Sequence, residues 1–151
     1  MDPLDFIAFP IRLSSSRNEA DLRSAVSRAY YGAFHVARTF LGDCGLRFSA
    51  KEMYGAEVHQ KVRYCLSQSG NTDAPRVSRN LRLLRSQRNE ADYNLDSATF
   101  RSPATVIGIV RGAPVIVDAI QRWQADPGFA EMRAKIRAYA RDALRIAVDE
   151  A

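Results

Sequence analysis

Between Arg17 and Leu41, apolar residues recur at helical spacing. Leu22, Val26, Ala29, Ala33, Val36, Ala37 and Phe40 fall on one wide arc, extended at its edges by Tyr30 and Phe34. A strand places side chains on alternate faces and cannot produce this pattern over so long a run, so the segment is read as a core helix of about seven turns. Ser14 to Ser16 are the expected cap, and Gly42 and Gly45 the expected stop. The opposite face carries Ser24, Arg28, Tyr31, His35 and Arg38.

The same periodicity organises the rest of the chain. A shorter helix is predicted over Glu57 to Gln68, with Val58, Val62, Cys65 and Leu66 inside, closed by the turn formers between Gly70 and Pro75. A third runs from Pro75 to Leu95, and a fourth opens at Ser102 and Pro103 and reaches Gln124. After Asp126 and Pro127, a final amphipathic helix extends nearly to the C-terminus. Its Phe129, Met132, Ile136, Ala140, Ala143 and Leu144 face inward, while Arg133, Arg137, Arg141 and Arg145 form a solvated outer row. Residues 105–110 and 114–117 are rich in β-branched side chains and also fit a hairpin around Arg111 and Gly112. The helical spacing of Val106, Val110, Ala113, Val117 and Ile120, with Pro114 as a kink, favours the helix. The expected fold is all-α: a single domain of 151 residues, an antiparallel bundle of about five helices, without internal repeats.

Five arginines stand at every third position of the third helix: Arg76, Arg79, Arg82, Arg85 and Arg88, with Asp92 one turn later. A step of three falls short of a full turn by about 60°, so the row winds around the cylinder. With Leu81 as the centre of the apolar side, Val77, Leu84 and Leu95 lie within it, and Arg76 and Arg79 point away. Arg82 sits at the margin, while Arg85, Arg88 and Asp92 fall inside. Desolvating an unpaired charge costs several kcal/mol, so these three need a partner or a ligand.

Composition narrows the alternatives. A hydrophobic content of 46% with 26% charged residues fits a folded globular protein, and a net charge of +5 is compatible with a polyanionic partner. All but three of the 22 basic residues are arginine, which suits bidentate phosphate contacts; genomic base composition produces the same bias. Cys44 and Cys65 have no metal-ligand spacing and read as buried thiols of a reduced, cytoplasmic chain. The N-terminal MDPLDFIAFPIRLSSS lacks the form of a signal peptide, and Val106 to Ile120 is too short and too interrupted for a membrane span. There is no glycine-rich phosphate loop, HExxH or GxSxG, and His35 and His59 lie on different predicted helices without spaced carboxylates. No metal or cofactor is expected.

Two motifs remain: SRAYYGAFHVAR at 27–38 and RSQRNEADYNL at 85–95, with VHQKV at 58–62 between them. Together they resemble the HEPN superfamily, in particular its small stand-alone bacterial and archaeal members, over residues 17–124. The resemblance implies a helical bundle, a homodimer, and a nucleotidyltransferase partner in a toxin–antitoxin or defence module. It also implies metal-independent RNA cleavage by an arginine, the polar residue after it and a histidine four to six residues on. Arg88 and Asn89 match the first two. The histidine is missing; its window holds Asp92, Tyr93 and Asn94. Cleavage through the 2′-hydroxyl gains about 10² to 10⁴ in rate from a proton donor and acceptor tuned near neutrality. A phenol, with an ordinary pKa of about 10, is poorly matched to that task.

Three readings therefore stand beside one another. Arg88, Asn89, Asp92 and Tyr93 are the candidate catalytic set. Arg85, Arg88, Arg28, Tyr31 and His35 are the candidate phosphate or nucleic-acid contacts, with His35 also a substitute acid/base position. Alternatively, Arg88 and Asp92 are a structural pair four residues apart, hydrogen-bonded by Tyr31 or His35, in a catalytically silent interaction subunit. Tyr30 and Phe34 read as core aromatics. Tyr93 reads as partly exposed; in some relatives a tyrosine near this motif is modified by the partner nucleotidyltransferase.

Overall fold

A computed structural model describes residues 5–55 and 57–149. Helix α2 (Glu19–Asp43) is the axis of the molecule, and α1 (Asp5–Leu13), α4 (Val58–Ser67), α5 (Ala74–Tyr93), α6 (Pro103–Val110) and α7 (Gly112–Ala125) all pack against it. Its arc is buried as expected, with Leu22, Val26, Ala29, Ala33, Phe34, Ala37 and Phe40 at 4% exposure or less. The start is corrected: the cap is Asn18, whose Oδ1 accepts from the Ala20 amide, and not Ser14 to Ser16. Ser16 instead bonds Asp21 and the Asn18 amide. The helix also runs through Gly42 and stops at Gly45, which sits at φ +93°.

The all-α class holds, but the element count is higher than the periodicity suggested. Helix α1 was not anticipated. It approaches α2 closely enough that a Cβ at Gly32 would lie 2.7 Å from Ile7 Cδ1 and 3.0 Å from Phe6 Cβ. The first four residues, part of the leader argument, lie outside the described residues. The segment before α4 contains a short helix, α3 (Ala50–Tyr54), opened by a capping box. Ser49 Oγ accepts from the Glu52 amide, and Glu52 Oε2 accepts from the Ser49 amide. Lys61 Nζ, 2.7 Å from Glu52 Oε1, ties α3 to α4, and that hydrogen bond pulls the carboxyl down to about 2.

Residues 105–117 are helical, not a hairpin, and the break falls at Arg111 between α6 and α7. Ser102 caps α6 by accepting from the Thr105 amide, and Pro103 occupies the first turn, where its missing N–H costs nothing. The stretch Pro103–Ala125 is 23 residues long, longer than the apolar run read from the sequence, and its most apolar 18-residue window has a mean hydropathy of 1.5, a length and composition that core helices share with membrane spans. Its inner face, including Val106, Val110, Ile116, Ile120 and Trp123, is in the core.

Helix α8 (Phe129–Asp142) ends earlier than expected. Ala143 is exposed, not inward, and Arg145 adopts φ +56° to turn the chain into β2 (Ala147–Val148). That strand pairs antiparallel with β1 (Leu46–Arg47), a two-residue ribbon that helical periodicity cannot signal. The outer arginine row is only partly a solvated face. Arg133 Nε donates to the Cys44 carbonyl at 3.3 Å, and Arg137 Nη2 donates to the Asp149 carbonyl, so both hold the ribbon to α8.

Candidate functional site

The fourth and fifth turns of α5 bring Arg88 against the face of α2 that carries Tyr31. Arg88 Nη2 donates to Tyr31 Oη at 2.7 Å, and Nη1 donates to Asn89 Oδ1 at 3.0 Å. Its Nε lies 2.8 Å from Asp92 Oδ2, one turn on, with the two side chains 20% and 26% exposed. That contact is ionic without being directional: the buried Nε–H is not aimed at the carboxylate and has no acceptor in hydrogen-bond geometry. The guanidinium also lies 5.1 Å from the Tyr31 ring centroid and 5.5 Å from that of Tyr93. Ser27 Oγ reaches Asp92 Oδ2 at 3.5 Å. Tyr93 is otherwise open to solvent, 75% exposed.

Arg88, Asn89, Asp92 and Tyr31 are thus one constellation, with Tyr93 at its edge. Tyr31 and Asp92 also line a cleft of about 350 Å³ with Ser24, Ser27, Arg28 and Arg23. His35 stacks on Tyr31 (ring centroids 6.4 Å) and touches Phe6 and Phe34, one turn away from the Arg88 contacts. Burial, then the nearby Arg38 charge, pushes its imidazole below the ordinary range. Arg28 is exposed, its guanidinium 6.0 Å from the Phe6 ring. Leu95 corrects the helix arithmetic: α5 ends at Tyr93, and Leu95 is 72% exposed beyond it, not on the apolar side.

Arg85, half-buried one turn before Arg88, faces a second group that sequence reasoning passed over. His59 of α4 packs on Phe34 (centroids 4.4 Å), and its Nδ1 lies 2.6 Å from Tyr30 Oη. Burial, then Arg85, Arg88 and His35, push this imidazole down to about 4. Burial drives the Tyr30 phenol far above its usual range, so Tyr30 keeps its proton, and its hydroxyl shares a hydrogen bond with the neutral ring. His59 stands in the sequence as the histidine of VHQKV, but nothing local in that motif points to Tyr30, 29 residues away on another helix.

Arg23 is the second omission. Only 8% exposed, it donates from Nη1 to the carbonyls of Ala91 and Asn94 and from Nη2 to those of Leu95 and Ser97. Both Nε and Nη2 bond Glu19 Oε1, and the guanidinium lies 4.9 Å from the Phe100 ring. Ala91 lies in the last turn of α5, where helical donors run out, and Asn94, Leu95 and Ser97 follow it, so a side chain from α2 ties down both the end of the helix that carries Arg88 and the turn after it. Its signal was a charge inside the apolar arc, seven residues before Tyr30.

No group of three metal-ligating side chains occurs among the described residues. In comparisons with protein-family models, with curated proteins and with solved structures, nothing matches the chain.

Proposed function

We propose that the chain binds RNA or a nucleotide phosphate at Arg88, with Arg85 and Arg28 as flanking cations. In this reading it serves in the cytoplasm as one part of a toxin–antitoxin or defence module with a nucleotidyltransferase. The observation that carries it is the charge balance of the site. Arg88 pairs with Asp92, but neither Arg28 nor Arg85 is within ion-pair distance of a carboxylate among the described residues. The surplus positive charge is felt by His59, whose proton affinity Arg85 and Arg88 both lower. A phosphate is the ligand that such a surplus attracts, and an arginine held by Tyr31 and Asn89 presents its fork in a fixed orientation.

The test is fluorescence anisotropy with a short single-stranded RNA. The wild type binds at low salt with an affinity that falls steeply as salt rises, and Arg88→Ala weakens it at least about tenfold. Absence of measurable affinity at low salt sinks the proposal. Binding is favoured over efficient cleavage, because the one histidine in the field of Arg88 is neutral and already engaged by Tyr30. RNA cleavage in chelator that Arg88→Ala abolishes would establish the catalytic reading instead.

A second reading draws on a different observation: Arg88 already has Tyr31, Asn89 and Asp92 as partners. As a purely structural pair in a silent subunit, it makes Arg88→Ala cost about 1–2 kcal/mol of stability with no change in RNA affinity.

A further inference from the structure

The cleft beside Arg88 is richer in hydroxyl-bearing side chains than a phosphate alone requires. It holds about 350 Å³ between α2 and the last turn of α5, near the small end of the roughly 300–1,000 Å³ typical of ligand pockets, so one nucleotide-sized molecule fills it. Ser24, Ser27 and Tyr31 line it from α2 at spacings of three and four, and Asp92 lines it from α5.

A carboxylate is out of place in a pocket for a bare anion, because it repels the ligand that the arginines attract. It is in place where the ligand also brings hydroxyl donors, since an ionised carboxylate only accepts. Asp92 has acceptor capacity to spare. Arg88 Nε and Ser27 Oγ, at 2.8 and 3.5 Å, both meet its Oδ2, and among the described residues no hydrogen bond reaches Oδ1. The side chain is 26% exposed, so a ligand can reach it while Arg88 holds it in place. A carboxylate that accepts from a sugar hydroxyl beside a bound phosphate is how nucleotide sites read ribose.

Charge narrows the other end of the ligand. Arg23 is balanced by Glu19 and Arg88 by Asp92, which leaves Arg28 and Arg85 as the two uncompensated cations flanking Arg88. A terminal phosphomonoester carries about two negative charges near neutral pH and matches that surplus in a single group, whereas each phosphodiester link within a strand carries only about one.

We propose that the cleft is a ribose subsite and that the site takes a ribonucleoside monophosphate, its phosphate on Arg88 and its 2′-hydroxyl donating to Asp92. Resting on the phosphate reading, this makes Asp92 the residue that distinguishes ribose from deoxyribose.

Isothermal titration calorimetry of the full chain with uridine 5′-monophosphate, its 2′-deoxy counterpart and inorganic phosphate tests it. The wild type is expected to prefer the ribonucleotide over the deoxynucleotide by at least about tenfold, the worth of one hydrogen bond to a charged acceptor, and over inorganic phosphate by more. Arg88→Ala should weaken both nucleotides at least about tenfold, and Asp92→Ala should bring their ratio to about one. That ratio is read within one variant, so a general loss of stability or of Arg88 orientation, which lowers both affinities together, does not mimic it. Equal wild-type affinities for the two nucleotides overturn the proposal and leave phosphate binding standing. So does a preference that survives Asp92→Ala, since another group then reads the sugar. Binding of short RNA without binding of the monophosphates overturns it as well, because the ligand is then a strand. If neither the nucleotides nor RNA bind, the phosphate reading fails with it.

Discussion

Arg23 shows how much one side chain can settle. Four backbone carbonyls and Glu19 converge on its guanidinium, and lysine, with a compact ammonium, cannot reach them all. Arg23→Lys is expected to cost about 1–3 kcal/mol in urea unfolding, because buried acceptors are left without donors. His59 makes a prediction in pH. Its folded pKa of about 4 lies below the unfolded value of about 6.5, so the unfolded chain binds the proton more readily. Stability is therefore unaffected above neutrality and is lost as pH falls from about 6.5 through about 4. Melting temperatures across that range should fall for the wild type and fall less steeply for His59→Gln, which leaves only the smaller share of His35. If the two curves run parallel, the imidazole is not the linked group.

At the scale of elements, Gly32 is the contact on which α1 depends. Gly32→Ala must displace Ile7 and Phe6, including the Phe6 carbonyl at 3.1 Å, and is expected to cost about 1–3 kcal/mol by the same unfolding measurement. An unchanged midpoint would mean that α1 gives way freely. The same comparison explains what periodicity could and could not reveal. The arc of α2 was legible because seven turns of apolar spacing exceed any local noise, and Arg85 and Arg88 were legible as charges turning into an apolar side. Arg23 carried the same mark, but its backbone acceptors lie 68 to 74 residues away, and no local pattern names them. Helix α1 is short and contains Pro10, and β1 and β2 are two residues each, below the length at which any period repeats. Leu95 was misplaced because helical arithmetic was extended two residues past the end of the helix.

For the molecule as a whole, stability is not evenly distributed. The ribbon at Leu46–Arg47 and Ala147–Val148 is held by its own short ladder and by polar contacts to Arg133 and Arg137, with Arg47 paired to Asp149 at 2.6 Å. Helix α2, by contrast, is buried along most of its length. Amide hydrogen exchange should accordingly open the ribbon well below the free energy of global unfolding, while the α2 amides exchange only with it. Comparable protection at both places would contradict this division. The position of Arg88 relative to α2 has a last consequence. Because Tyr31 holds Arg88 and Arg23 holds the end of α5, both from the central helix, the site exists only when the cooperative unit is folded. A ligand there binds the native state alone, so by mass action it must raise the melting temperature. At a hundred times its dissociation constant it adds about 2.7 kcal/mol. A thermal scan against nucleotides and short RNAs therefore lets the protein report its own ligand, before any activity is known to assay.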